Sequence, residues 1–333
     1  MLLIPASNMI VIACVAGLKK EAMMDYRQLG NSGLKVSAIG LGGNNFGWWA
    51  DEQTSIAVVN QALDQGINFI DTADMYDRGR SEEFIGKALK GKRDKAIIAT
   101  KFGYPMSDDP NDSGASRHHI MNAVENSLRR LQTDYIDHYQ VHNPDPATPI
   151  EETIRALDDL VRAGKVRYIG CSNFAAWQLN EALWTSKTNG LETFVSIQSR
   201  YNIMERQLEN EVVPCCQANG IGIVPWGPLA GGFLTGKYSR ENRSAVDGRL
   251  SGTNRLYENV ITKDNWNKLA KLQAFAAERN HKMGELALTW LLSKPWVSTV
   301  IAGARTAEQI SGNVAAAEWK LTPDDIKEVE AIL

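Results

Sequence analysis

Eight short apolar runs rich in β-branched residues recur along the chain, and helical patterns occupy the stretches between them. They are VSAIGLG from Val36, INFIDTA from Ile67, AIIATK from Ala96, YIDHYQVH from Tyr135, VRYIGCS from Val166, FVSIQ from Phe194, GIVPWG from Gly222 and VSTVIAG from Val297. Between them EEFIGKALK, IMNAVENSLRRLQ, PIEETIRALDDLVRAG, ALWTSK, LENEVVPCCQANG and MGELALTWLL place apolar residues three and four apart, as amphipathic helices require. Thr148 with Pro149 marks one helix start, and Gly164 and Gly220 mark two helix ends. Strands that are apolar throughout and alternate with helices belong to a parallel sheet covered on both faces. Eight such units close most readily into a single-domain (β/α)8 TIM barrel, with its active site at the C-terminal strand ends.

The open doubly wound sheet is the alternative. Its support is GLGGNNFG from Gly40, which resembles a dinucleotide fingerprint; Asn45, however, stands where the third glycine belongs, and no helix opens immediately after it. A chain of 333 residues suits one barrel. Its 36 Lys and Arg against 39 Asp and Glu leave no strong charge imbalance, so small ligands are expected rather than nucleic acid or a membrane. The cysteines, Cys14, Cys171, Cys215 and Cys216, form no CxxC pair and fit a reducing cytoplasmic setting. Residues 1–23 are apolar from Leu2 to Leu18, but Lys19 and Lys20 follow that run, the reverse of a signal peptide, and Pro5, Ser7 and Asn8 interrupt it. They are read as a poorly ordered N-terminal extension, with the barrel domain spanning 24–333.

The expected strand ends are polar. Asp71 and Tyr76 close the second, Lys101 the third, and Gln140 and His142 the fourth. Singly, Asp71 could cap a turn, Lys101 could be a solvated strand end and His142 an interior histidine; together they form an acid–base cluster. A tyrosine of ordinary pKa about 10 is a weak acid, and an adjacent Lys101 ammonium is expected to lower that value. Asp71 would hold the ammonium, and His142 would orient a substrate oxygen. No Ser or Cys with a paired base joins them, and no HxH or HExxH pattern offers a metal site, His118 and His119 being adjacent. An acid without a nucleophile needs a cofactor that supplies electrons, and a nicotinamide hydride suits a carbonyl substrate. Trp48, Trp49, Phe102, Tyr104 and Asn143 follow strands at the same rim and are expected to line a partly aromatic pocket.

Gly231, Gly236 and Lys237 in LAGGFLTGKY have the skeleton of a nucleoside-triphosphate loop, yet Tyr238 replaces the Ser or Thr that would ligate magnesium. The chain as a whole, from Tyr26 to Trp319, resembles an aldo-keto reductase. Asp71, Tyr76, Lys101 and His142 lie in stretches similar to that family's D-T-A-x-x-Y, T-K and Q-x-H-x-P-D signatures. The resemblance implies that Ser172, Asn173 and Gln198 bind the nicotinamide carboxamide and that Trp226 stacks on its ring. Gly227, Pro228, Leu229, Gly231 and Lys237 would wrap the pyrophosphate. Gly303, Ala304, Arg305, Gln309 and Asn313 would meet the adenosine phosphate and base, while Thr306 and Gln309 also read as a capping box. Two departures are Gly312, where the family often has Glu, and Asp77, where many members carry Gly. Lys237, Arg249 and Arg305 are the basic residues in the stretches that resemble the adenosine and pyrophosphate contacts; Arg305 is expected to carry most of a preference for NADP(H) over NAD(H), while Lys237 would face the pyrophosphate that both share. The segment from Phe233 to Val260 and the helix KDNWNKLAKLQAFAAER resemble the branch holding aryl-alcohol-dehydrogenase-like reductases and potassium-channel beta subunits. The second of these supplies the alternative to an NADPH-dependent reductase, a cofactor-loaded regulatory subunit; His142 argues for the enzyme, because channel subunits have Asn there.

Overall fold

The computed structural model describes residues 24–242, 248–251 and 256–333; the extension assigned to 1–23 lies outside the described residues. A two-stranded antiparallel hairpin, β1 (Tyr26–Gln28) and β2 (Lys35–Ser37), precedes eight parallel strands. These are β3 (Ile39–Gly42), β4 (Phe69–Asp71), β5 (Ile97–Phe102), β6 (Ile136–Val141), β7 (Val166–Ser172), β8 (Phe194–Arg200), β9 (Gly222–Trp226) and β10 (Val300–Gly303). They pair in sequence order, with β10 beside β3. The ring closes where Ile223 donates its N–H to the Trp296 carbonyl at 3.0 Å and accepts from Ser298 at 2.9 Å. The fold is the (β/α)8 barrel expected from the sequence.

Among the described residues ten α-helices surround the strands. In chain order they are α1 (Glu52–Asp64), α2 (Arg80–Ala88), α3 (Arg117–Leu131), α4 (Ile150–Arg162), α5 (Ala176–Asn189), α6 (Val212–Asn219), α7 (Lys263–Glu278), α8 (Met283–Leu292), α9 (Ala307–Glu318) and α10 (Pro323–Ile332). No helix among the described residues is long and apolar enough to cross a membrane. Their starts follow from local chemistry: Asp51 caps α1 by accepting the Thr54 N–H at 2.8 Å, Ser116 caps α3, and Pro149 precedes α4. Gly220, in the left-handed region, ends α6 as expected.

Side-chain alternation along each strand divides the core in two. Phe69, Ala99, Val224 and Ile301 point into the barrel and pack with Leu29 and Val36 of the hairpin, whereas Ile98, Tyr139 and Val141 face the helices. The hairpin lies against the N-terminal strand ends, where Asn31 donates to the Gly220 carbonyl at 2.7 Å and Gly30 to Ser298 Oγ at 3.2 Å. The sequence reading expected neither β1 nor α10, and it departs from the structure at two further places. VSAIGLG is split at Ala38, whose N–H bonds to Asp25, into a hairpin strand and a barrel strand; and α1, for which no helix was expected, follows β3.

Candidate active site

Counting inward positions upward from the apolar layer brings each strand to its C-terminal end. Two residues beyond Phe69 is Asp71, and two beyond Ala99 is Lys101; His138 leads through Gln140 to His142, and Ser196 leads to Gln198. Lys101 is fully buried. Its Nζ donates to Asp71 Oδ2 at 2.8 Å and to the Thr72 carbonyl at 2.8 Å, and reaches Tyr76 Oη at 3.4 Å. Asp71 Oδ1 accepts from Gln198 Nε2 at 2.8 Å. Tyr76, half-buried in the cavity wall, meets the His142 ring edge-on at 5.9 Å, and His142 in turn meets Tyr104 at 4.7 Å.

The charge states follow from this packing. Burial depresses the Lys101 pKa, but Asp71 and Tyr76 more than offset it, and the net shift is upward from its ordinary value. Burial and the nearby Lys101 charge push His142 down to about 2, so its imidazole is neutral. Tyr76 departs from expectation. Burial raises its pKa above the ordinary phenol value, and the Lys101 ammonium, pulling the other way, recovers only part of the rise. The hydroxyl is therefore protonated at neutral pH and able to donate.

From this corner a groove of about 940 Å³ runs across the barrel mouth. Ser172, Asn173, Gln198 and Trp226 line its first part; Trp226 Nε1 donates to Asn173 Oδ1 at 3.0 Å, and Asn173 Nδ2 donates to the His142 carbonyl at 3.1 Å. Gly227, Pro228, Leu229, Gly231 and Lys237 line the middle. Left-handed backbone at Gly227, Gly231 and Gly232 brings main chain rather than bulky side chains to the wall, as close approach of phosphates needs. The far end holds Arg249, Gly303, Arg305, Gln309 and Asn313. Asn313 is 8% exposed, and its Nδ2 has no hydrogen-bond partner among the described residues, which fits a ligand base lying against it. These features fit a dinucleotide.

Several expected residues sit differently. Phe102 is not in the pocket. Because Lys101 points inward, the next residue must face the helices, and Phe102 packs in the core against Tyr139 at 4.8 Å. Ala304 is wholly buried, with its carbonyl accepting from Asn45 Nδ2 at 3.4 Å rather than lining the groove. Trp48 and Trp49 are exposed at the mouth, Trp48 lying 6.1 Å from the Tyr76 ring. Tyr104 and Asn143 do line the cavity, and Gly312 lines its far end. Thr306 caps α9 through Gln309, but Gln309 Oε1 accepts from Arg305 N–H at 2.7 Å instead of completing the box at Thr306. The sequence reading missed Asn44, Asn45, Tyr257 and Lys282 in the wall. The two asparagines were legible in GLGGNNFG; Tyr257 and Lys282 carry no local signal.

A family model described as the aldo/keto reductase family matches residues 38–333. The chain belongs to that family. Members are oxidoreductases that act on carbonyl compounds and generally use a nicotinamide cofactor. Similar proteins include YrpG, an uncharacterized oxidoreductase of Bacillus subtilis (strain 168), 39% identical over 91% of this chain and 94% of its own length. A versiconal hemiacetal acetate reductase of Aspergillus parasiticus is 36% identical over 92% of this chain and 96% of its own length. A probable voltage-gated potassium channel subunit beta of Oryza sativa subsp. japonica is 36% identical over 93% and 97%, respectively. The channel beta subunits named in the sequence resemblance are thus among the similar proteins, as is a putative aryl-alcohol dehydrogenase of Schizosaccharomyces pombe (strain 972 / ATCC 24843), 35% identical over 92% of this chain and 94% of its own length.

Proposed function

We propose that the protein reduces an aldehyde or ketone to the alcohol with NADPH, and that Tyr76 is the general acid. The observation that carries this is the Lys101 ammonium held between the Asp71 carboxylate and the Tyr76 hydroxyl at one end of a groove fit for a dinucleotide. When bound, the nicotinamide supplies the hydride. Tyr76 gives its proton to the oxygen on which negative charge develops, and Lys101 stabilises the phenolate left behind. Asp71 keeps Lys101 charged and fixed. His142, neutral, hydrogen-bonds the substrate oxygen without competing as a charged acid. Ser172, Asn173 and Gln198 would hold the carboxamide and Trp226 the ring face, with Gly227 to Lys237 along the pyrophosphate. Gly303, Arg305, Gln309 and Asn313 would meet the adenosine end.

Trp48, Tyr104 and Asn143 give the substrate mouth flat apolar faces with one amide, suited to a planar aldehyde. A regulatory subunit with slow turnover is the second reading, motivated by relatives named as potassium-channel beta subunits; the presence of His142 weighs against it. Steady-state oxidation of NADPH with a panel of aldehydes tests the choice. Saturable turnover is expected, whereas tight NADPH binding with no turnover on any aldehyde would favour the regulatory reading.

A further inference from the structure

Tyr76 opens a short turn, Tyr76–Gly79, in which two consecutive non-glycine residues, Asp77 (φ 46°) and Arg78 (φ 55°), adopt the left-handed conformation. Such backbone is costly for L-residues and persists only where surrounding contacts hold it. At Asp77 the contact is with Gly47. A Cβ added to Gly47 would lie 2.2 Å from Asp77 Oδ2 and 2.7 Å from its Cβ, so the aspartate side chain is seated directly on the Gly47 backbone. Gly47 itself has φ 89° and donates its N–H to Ala50 at 2.9 Å. Asp77 Oδ2 has no hydrogen-bond partner among the described residues, and its carboxylate pairs with Arg80 at 3.3 Å.

The residues beyond Gly47 give this seam its consequence. Trp48 leans on the Tyr76 ring at 6.1 Å, and Trp49 stands edge-on to Trp48 while facing the guanidinium groups of Arg249 at 4.9 Å and Arg305 at 5.5 Å. One loop thus reaches from the candidate acid to the far end of the groove, and Asp77 is where it seats on the turn that carries Tyr76.

We infer that Asp77 is a positioning and specificity-determining residue: as a wedge beneath Gly47 it sets the distance between the Trp48–Trp49 loop and Tyr76, and so the width of the mouth that admits a flat carbonyl compound. This rests on the reductase reading. The wedge acts through shape, since its carboxylate makes no hydrogen bond to the loop. Asp77→Gly removes the wedge and relaxes the left-handed strain, so the variant is expected to fold; Asp77→Asn keeps the shape and tolerates the conformation.

With benzaldehyde, Asp77→Gly is expected to raise KM about fivefold or more while kcat stays within about twofold, and with propanal, which has no ring to be gripped, neither constant should move by more than about twofold. Asp77→Asn should restore the benzaldehyde KM. An unchanged benzaldehyde KM in Asp77→Gly, or an equal rise for propanal, would overturn the inference. A thermal-unfolding cycle tests the contact without any assay. Gly47→Ala should lower Tm at least about twice as much in the Asp77 protein as in the Asp77→Gly background, whereas additive shifts would refute the wedge. If the wild type reduces no aldehyde, the reductase reading fails, and with it the claim about substrate width; the unfolding cycle still decides the contact.

Discussion

Lys101 holds a charge where charge is costly, fully buried at the base of the groove, and three oxygens compensate it: Asp71 Oδ2, the Thr72 carbonyl and Tyr76 Oη. Its effect on Tyr76 has a definite sign. Burial raises the phenol pKa and Lys101 opposes that rise, so removing the ammonium moves the pKa further up. In the proposed function the reverse reaction, alcohol oxidation, needs the Tyr76 phenolate as base. Lys101→Met is therefore expected to shift the rising limb of the oxidation pH profile to higher pH, measured on protein whose circular dichroism matches the wild type. An unshifted limb in an active variant would separate Lys101 from Tyr76 functionally. The residues of this corner were legible because unlike titratable types fell at successive strand ends, where a barrel gathers them. Phe102 was misread for a reason at the same scale: adjacent strand residues face opposite sides, so Lys101 and Phe102 cannot share a pocket.

At the scale of elements, the segment after β9 and the start of α9 both line the groove. Arg249 is engaged by Asn45 Oδ1 at 2.5 Å and Asn44 Oδ1 at 3.2 Å, while Arg305 stands at the α9 end beside Trp49. In the proposed reading Arg305 meets the 2′-phosphate, as the family resemblance implies, and Lys237 faces the pyrophosphate that both cofactors share. NADPH is expected to bind at least about tenfold more tightly than NADH, about 1.4 kcal/mol, with Arg305→Ala erasing most of the difference. Lys237→Met should weaken both cofactors and leave their ratio unchanged. A tryptophan-fluorescence titration measures all three, and equal wild-type affinities would contradict the role given to Arg305. Elements were readable where the hydrophobic period was clean, as in MGELALTWLL, which is α8 residue for residue. Helix α1 was missed because its buried face is Ser55, Val58, Val59 and Ala62, two of the four being small or polar. The hairpin was missed because its three-residue strands are too short to show alternation.

For the whole molecule, the buried histidines link stability to pH. His142 is held neutral down to about 2 and His138 down to about 3, chiefly by burial, whereas an unfolded histidine takes a proton near pH 6.5. Below that pH the unfolded chain binds more protons than the fold, so this stabilisation is complete above about pH 6.5 and is lost as pH falls towards the folded values. Asp74 acts in the opposite sense. Burial and nearby Glu82 raise its pKa, so its contribution is greatest in acid and declines as pH rises. Between about pH 7.5 and about pH 5, each histidine should cost the fold about 2 kcal/mol, and His142→Asn should remove that much of the pH-dependent loss in urea unfolding. An unaltered difference between the two pH values would contradict a neutral, buried His142. The closed barrel was legible from eight alternating units, and the floor formed by the hairpin was not. In the proposed function, what joins fold to chemistry is proton donation by Tyr76 as hydride reaches a carbonyl carbon. The direct measurement is aldehyde reduction with NADPH deuterated at the transferable nicotinamide position, by the wild type and by Tyr76→Phe. Deuterium is expected on the carbinol carbon of the wild-type product, with a turnover at least about a hundredfold lower in Tyr76→Phe and its NADPH Kd within about twofold of wild type. Deuterium lost to solvent, or a Tyr76→Phe enzyme that turns over at the wild-type rate, would contradict it.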